Sequence, residues 1–281
     1  MNRNDLFTRD KYVLLDGGMG TMLQARGLKL GARPELLSIT EPEMLTGIHR
    51  EYVQAGADIV YANTFGASAK KLEGSGHSVA EVISASLACA RRAVQGTGAL
   101  VALDVGPLGE LLEPAGTLKF EDAYRCFQEI VIAGAQADVI VVETMTDLYE
   151  VKAAILAAKE NSTLPVMVSM SFEQNGRSFT GCTVESFAAT AVGLGADAVG
   201  INCSLGPVEI LPLAQRLCQS VPKNFPVFVK PNAGLPRADG SGYDITPEMF
   251  RDAMAQYLPL GICMLGGCCG TTPQYIGYLA Q

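Results

Sequence analysis

Several things are scarce in this sequence, and each scarcity closes off a class of function. Histidine occurs only as His49 and His77, so a His-rich metal centre or an extended imidazole relay lacks the residues to build it. Basic side chains are outnumbered, 21 Lys and Arg against 29 Asp and Glu, for a net charge of −8. That balance argues against nucleic acid or an anionic membrane as a partner. No apolar run approaches the roughly 18–20 residues that span a bilayer. The opening Met1–Lys11 has neither the apolar core nor the cleavage site of a secretory leader, so the expected location is the cytoplasm. The 30 Gly and 14 Pro are spread along the chain, which excludes collagen-like and low-complexity architectures. No composition break marks a linker.

What the sequence does have is alternation. Short runs rich in Val and Ile predict strands at 12–16, 58–63, 99–105, 138–143, 165–171, 197–202, 226–230 and 261–266. Segments of helical spacing follow at 43–54, 79–94, 120–135, 148–160, 184–193, 208–219, 247–258 and 273–280. Capping chemistry marks the helix starts. Ser78 with Glu81 and Asp147 with Glu150 have capping-box spacing, Thr40 precedes Pro42 and Glu43, and Thr246 and Thr272 each precede a proline. Asp58, Asp138 and Asp197 each follow an alanine at the start of a strand, which predicts one recurring helix-to-strand turn. Eight strand–helix units in about 250 residues predict an α/β fold, a (β/α)8 TIM barrel, as a single domain over 1–281. A doubly wound open sheet shares the alternation. In both folds function gathers at the C-terminal ends of the strands.

Those ends carry the chemistry. The first reads Asp16-Gly17-Gly18-Met19-Gly20-Thr21, which is neither a P-loop nor a G-x-G-x-x-G turn; its glycines suit a tight turn or amides exposed to an anion. The second reads Asn63-Thr64-Phe65-Gly66. Glu143 closes a Val-Ile-Val-Val run, where a carboxylate needs a cation: Lys230 or a substrate ammonium. Cys203 follows the sixth strand, and Cys268-Cys269, framed by glycines, follows the eighth. Three thiolates converging there make a soft site suited to zinc with one position open; a vicinal disulfide at 268–269 is the competing reading. Of the other cysteines, Cys89, Cys126 and Cys218 read as small hydrophobes on helices, Cys182 as a loop residue and Cys263 as part of the last strand. Lys230, ending the seventh strand, admits a Schiff-base lyase as an alternative, and a non-catalytic zinc or thiol sensor is another.

The segments Leu15–Thr21, Asn63–Gly66, Gly200–Cys203, Lys230-Pro231-Asn232-Ala233-Gly234 and Gly266-Gly267-Cys268-Cys269-Gly270-Thr271-Thr272-Pro273 together resemble the homocysteine S-methyltransferase family. Within it, they look most like the homocysteine-binding domain of the cobalamin-dependent branch. The resemblance runs from the first strand to the last and implies a zinc-bearing (β/α)8 barrel. It implies that Cys203, Cys268 and Cys269 ligate zinc, and that Asp16 and Glu143 engage the amino group of homocysteine. It places the amides of Gly17 and Gly18 near the substrate carboxylate, Asn63 and Thr64 in the substrate site, and Asn232 at the fourth zinc position when substrate is absent.

The implied chemistry is attack by a zinc-bound homocysteine thiolate on a methyl group, giving methionine without a general acid. The implied donor is methylcobalamin on a separate corrinoid-carrying domain or protein, because a chain of this length has no room for a cobalamin domain. Betaine-using members carry Tyr where this chain has Gly66, an expected open space. Betaine and S-methylmethionine remain the alternative donors.

Overall fold

In a strand, successive side chains point to opposite faces, so eight strands buried on both faces need a core on each side. The computed structural model describes residues 6–7, 13–29, 31–235, 237, 242–262 and 264–281. Its elements are β1 (Val13–Leu14), α1 (Met19–Ala25), α2 (Leu37–Thr40), α3 (Pro42–Gln54), β2 (Ile59–Tyr61), α4 (Val79–Val94), β3 (Leu100–Val105), α5 (Phe120–Ala133), β4 (Val139–Met145), α6 (Leu148–Asn161), β5 (Val166–Met170), α7 (Val184–Gly193), β6 (Ala198–Asn202), α8 (Pro207–Ser220), β7 (Val227–Lys230), α9 (Pro247–Met254), β8 (Met264–Leu265) and α10 (Pro273–Leu279). The strands form one parallel sheet in the order β1-β8-β7-β6-β5-β4-β3-β2. A parallel bridge from Leu15 to Ile59 joins the two ends. The sheet is therefore a (β/α)8 barrel, and the doubly wound alternative, which needs two open edges, is excluded.

Alternation sorts the apolar residues between the two cores. Val13, Leu15, Ile59, Ala102, Val139, Val141, Met167, Ala198, Phe228 and Met264 fill the barrel, with Leu6 buried among them. Their neighbours, such as Leu14, Val60, Val101, Ile140, Val168, Val199 and Val229, pack outward against the helices. The recurring Asp turn has a physical basis. The N–H groups of Asp58, Asp138 and Asp197 donate to the carbonyls of Leu14, Val101 and Val166 at 2.7–2.8 Å. Their carboxylates accept the N–H groups of the same three residues at 3.0, 2.8 and 2.8 Å. Each aspartate thus ties the start of β2, β4 or β6 to the strand before it.

Ser78 and Glu81 form the expected capping box. Asp147 and Thr246 cap α6 and α9. Glu150 does not complete a box; it is buried and accepts the N–H of Leu108. Thr40 is no cap, because it ends α2 and its hydroxyl bonds back to the Leu36 carbonyl at 3.2 Å. Thr272 makes no side-chain cap either. The spacing misses α1 and α2, which are too short, at 7 and 4 residues, to show a helical period. The helix expected to reach 258 leaves α geometry at Met254 and continues as a 3-10 turn, Ala255–Leu260, that contains Pro259. Cys263 lies outside the described residues. Among the described residues no helix is long and apolar enough to cross a membrane.

Candidate active site

Two strand ends and the backbone around them bring three sulfurs together at the barrel mouth. Asn202, the last residue of β6, is fully buried and accepts bonds from the Thr144 N–H at 2.9 Å and the Ser169 hydroxyl at 2.8 Å, while donating to Thr144 Oγ1 at 2.7 Å. With that residue pinned, the chain turns through left-handed backbone at Cys203 and Ser204, φ 60° and 61°. Such angles are unfavourable for side-chain-bearing residues and mark functional turns. The turn after β8 is clamped from the first strand. Gly18 N–H donates to the Thr271 carbonyl and hydroxyl at 3.2 and 3.1 Å, Thr271 Oγ1 donates to the Cys268 carbonyl at 2.7 Å, and Gly270 N–H donates to Thr21 Oγ1 at 2.9 Å. Glycine is required for this approach. A Cβ at Gly17 would lie 2.8 Å from Thr271 Oγ1, and one at Gly18 would lie 2.7 Å from the Cys268 carbonyl.

The sulfurs of Cys203 and Cys269 are 3.8 Å apart, and those of Cys203, Cys268 and Cys269 all lie within 4.8 Å of one another. All three are free thiols rather than a vicinal disulfide. Hydrogen bonds from the Cys203 and Cys268 thiols pull the Cys269 pKa down to about 3, while the Cys268 thiol, held protonated as it donates to its neighbours, is pushed well up. A cation among them would favour all three as thiolates. Tetrahedral metal–sulfur bonds of about 2.3 Å place sulfurs about 3.8 Å apart, so the donor set and its spacing fit a thiophilic metal.

Beneath the sulfurs lies a cavity of about 430 Å³ whose wall includes Asp16, Tyr61, Asp104, Glu143 and Lys230. Lys230 is buried, with Nζ 3.0 Å from Asp16 Oδ1, 3.7 Å from Glu143 Oε2 and 3.4 Å from the centre of the Tyr61 ring. Burial opposes its charge, but Asp16, Tyr61 and Glu143 outweigh that and hold its pKa above the usual lysine value. A Schiff base starts from a neutral amine, so the geometry disfavours Lys230 as a nucleophile. Burial raises Asp16, opposed by Lys230 and by the Tyr61 N–H, which donates to it at 2.7 Å. Burial also raises Glu143, and it raises Asp104 with Glu143 adding repulsion.

A model of the homocysteine S-methyltransferase family matches residues 13–281. The chain belongs to that family. It is 34% identical to the methionine synthase of Mycobacterium tuberculosis and 33% identical to that of Mycobacterium leprae, in each case over 96% of this chain and 24% of the other protein. The chain thus spans about a quarter of the length of these curated relatives. The homocysteine methyltransferase MmuM of Escherichia coli, solved in a metallated form, superposes with a TM-score of 0.84 over 99% of both chains at 24% identity. That likeness shows the shared barrel.

For this family member, Asp16, Gly17, Gly18, Asn63, Glu143, Cys203, Cys268 and Cys269 all line the one cavity. Thr64 and Asn232 are not in its wall. Thr64 Oγ1 donates to the Asp104 carbonyl at 2.7 Å and accepts the Asp104 N–H at 3.1 Å. Asn232 Oδ1 accepts the Cys269 N–H at 3.1 Å. The Gly18 amide expected to face a carboxylate is instead committed to Thr271. The space beside Gly66 is not open, because Glu35 accepts its N–H at 2.9 Å and would lie 2.5 Å from a Cβ there. Among the described residues, Cys89, Cys126, Cys182 and Cys218 pack in or against the helix-facing core.

Among the cavity residues that the sequence reading missed are the polar groups Glu35, Tyr61, Asp104 and Tyr243. Asp104 had a usable signal, since it is a carboxylate inside the apolar run Leu100–Val105 on the inward phase of Ala102. Glu35 sits in a 3-10 turn, Pro34–Leu36, and Tyr243 lies outside the strands and helices, where strand periodicity carries no information.

Proposed function

We propose that this chain is a zinc-dependent homocysteine S-methyltransferase module that transfers a corrinoid-bound methyl group to the homocysteine thiol, giving methionine, and that its 281 residues act as one unit. The observation that carries the reading is three thiols converging above a cavity with a floor of buried carboxylates. Cys203, Cys268 and Cys269 would hold zinc. When bound there, zinc supplies the Lewis acidity that lets a substrate thiol, with an ordinary pKa of about 8.5, exist as a nucleophilic thiolate at neutral pH. The chain's own residues do the positioning. Asn202 and Asn232 fix the two cysteine turns through their hydrogen bonds. Asp16 and Glu143 make the floor anionic and attract the substrate amino group, while Lys230 keeps that floor from repelling itself apart. Gly17 allows close approach at the cavity wall. No side chain must give or take a proton at sulfur during transfer, which accords with the absence of His from the cavity wall.

The likeness to methionine synthases about four times longer supports a donor presented by another domain or protein. So does the resemblance of the first-strand segment to the corrinoid-using branch. Gly66 contributes nothing to the donor assignment, since Glu35 fills the space beside it. The test supplies zinc-loaded protein and homocysteine with methylcobalamin or a methylated corrinoid protein, and in parallel with betaine or S-methylmethionine. Methionine is expected from the corrinoid donors alone, lost on chelation. Zinc-dependent methionine from the small donors, with none from either corrinoid, reverses the donor. No methionine from any donor refutes the activity.

A further inference from the structure

Three buried polar atoms in the wall of this cavity have no hydrogen-bond partner: Tyr61 Oη, Asp104 Oδ1 and Glu143 Oε2. Leaving such a group unpaired costs about 1–3 kcal/mol, more when it is charged. Three together in one cavity wall therefore point to a ligand group that pairs them.

The three residues sit on consecutive strands and climb the barrel in steps. Tyr61 is paired with Ala102, two residues before Asp104. Asp104 is paired with Val141, two residues before Glu143. The charges around them do not balance. Asp16 already has two partners, the Lys230 ammonium at 3.0 Å and the Tyr61 N–H at 2.7 Å. Glu35 is held by the Gly66 N–H. That leaves Asp104 and Glu143, both 93% buried, facing Lys230, 3.7 Å from Glu143, and a weaker pull on Asp104 from Lys71, whose ammonium donates to the Pro107 carbonyl at 2.6 Å and is shared with Glu35 and Glu150. The missing group is therefore cationic, compact and rich in donors. A primary ammonium brings one charge and three N–H donors. A quaternary ammonium brings the charge and no donor.

We infer that Asp104, with Tyr61 beside it, is a further substrate-binding residue that pairs with Glu143 to receive the primary ammonium of the thiol substrate, to which Asp16, also the counter-ion of Lys230, adds its charge. The inference rests on the proposed homocysteine reading and assigns its amino-group site to a residue that the sequence did not single out. The upward displacement of the Asp104 pKa by burial and by Glu143 is what a carboxylate shows when its intended cation is missing.

The test is binding of homocysteine and of 4-mercaptobutanoate, the same thiol acid without the amino group, to zinc-loaded protein. Wild type should prefer homocysteine. Asp104→Asn should weaken homocysteine binding about 10- to 100-fold, the range of a charged hydrogen bond, and leave 4-mercaptobutanoate within about twofold on the same scale. Homocysteine binding equal to wild type, or an equal loss for both thiols, overturns the assignment. If Asp104→Asn does not fold, Asp104→Ser is read in the same way. N,N-dimethylhomocysteine needs no variant: wild type should bind it poorly, and binding equal to homocysteine overturns the multi-donor site. If wild type does not discriminate between homocysteine and 4-mercaptobutanoate, the homocysteine reading itself fails, a result distinct from failure of Asp104 alone.

Discussion

Replacing Lys230 with Met keeps an unbranched side chain one atom shorter and removes the one cation among the described residues of the cavity wall. The magnitude follows from the geometry. At an effective dielectric of about 20, unit charges 3.0 Å and 3.7 Å apart attract by roughly 5.5 and 4.5 kcal/mol. Dehydrating the buried ammonium opposes this by several kcal/mol, and removing one partner of a buried pair typically costs about 3–5 kcal/mol. Urea denaturation at pH 8 should therefore show Lys230→Met less stable by about 3–5 kcal/mol. The pH dependence gives a second reading. Burial already raises the folded-state pKa values of Asp16 and Glu143, and Lys230 opposes that rise. Without it they rise further above their unfolded values, so the folded variant binds more protons than its unfolded chain and loses stability as pH rises. The deficit should shrink as pH falls and the carboxyls become neutral. A loss below about 1 kcal/mol at pH 8, or one unchanged between pH 8 and pH 5, would refute the claim that Lys230 serves as the counter-ion of this floor.

Two further outcomes are expected. Cys203→Ala and Cys269→Ala, purified alike, should each lose most of their zinc, because two thiolates remain; full metal content in both would overturn the ligand set. His49 is fully buried with both ring nitrogens unpartnered, and burial lowers its pKa to about 4 from 6.5. The unfolded chain therefore takes up the proton first, and the stability His49 contributes above pH 6.5 is lost as pH falls toward 4, up to about 3 kcal/mol. His49→Leu should flatten that part of the stability-versus-pH curve, and an unchanged slope would sink the assignment.

The barrel was legible because alternation and helical period act over long segments: all eight strands fall where Val- and Ile-rich runs predict them. The thiol trio was legible because strand ends converge in such a barrel, which brings Cys203 to Cys268 and Cys269 across 65 residues of sequence. Polar partners were harder to read. Glu143 closes an apolar run and draws the eye, whereas Asp104 sits inside one and is followed by Val105, so it reads as part of the strand. The Gly18 amide and the space at Gly66 were misjudged for the same reason. Backbone donors and vacant volume are claimed by residues distant in sequence, Thr271 and Glu35, and no local pattern names the claimant.

The aspartate ties at the strand starts make the barrel modular. Asp58, Asp138 and Asp197 join β1 to β2, β3 to β4 and β5 to β6, so three strand pairs are tied at their starts by the same two hydrogen bonds. At the corresponding place before β8 the sequence reads Gly261-Ile262-Cys263, with no carboxylate. The last strand pair, which leads to Cys268 and Cys269, thus starts from a sequence without the carboxylate for this tie. The three tied pairs carry Tyr61, Asp104 and Glu143 of the cavity wall and lead into Cys203, so much of that wall hangs from strands fixed at their far ends.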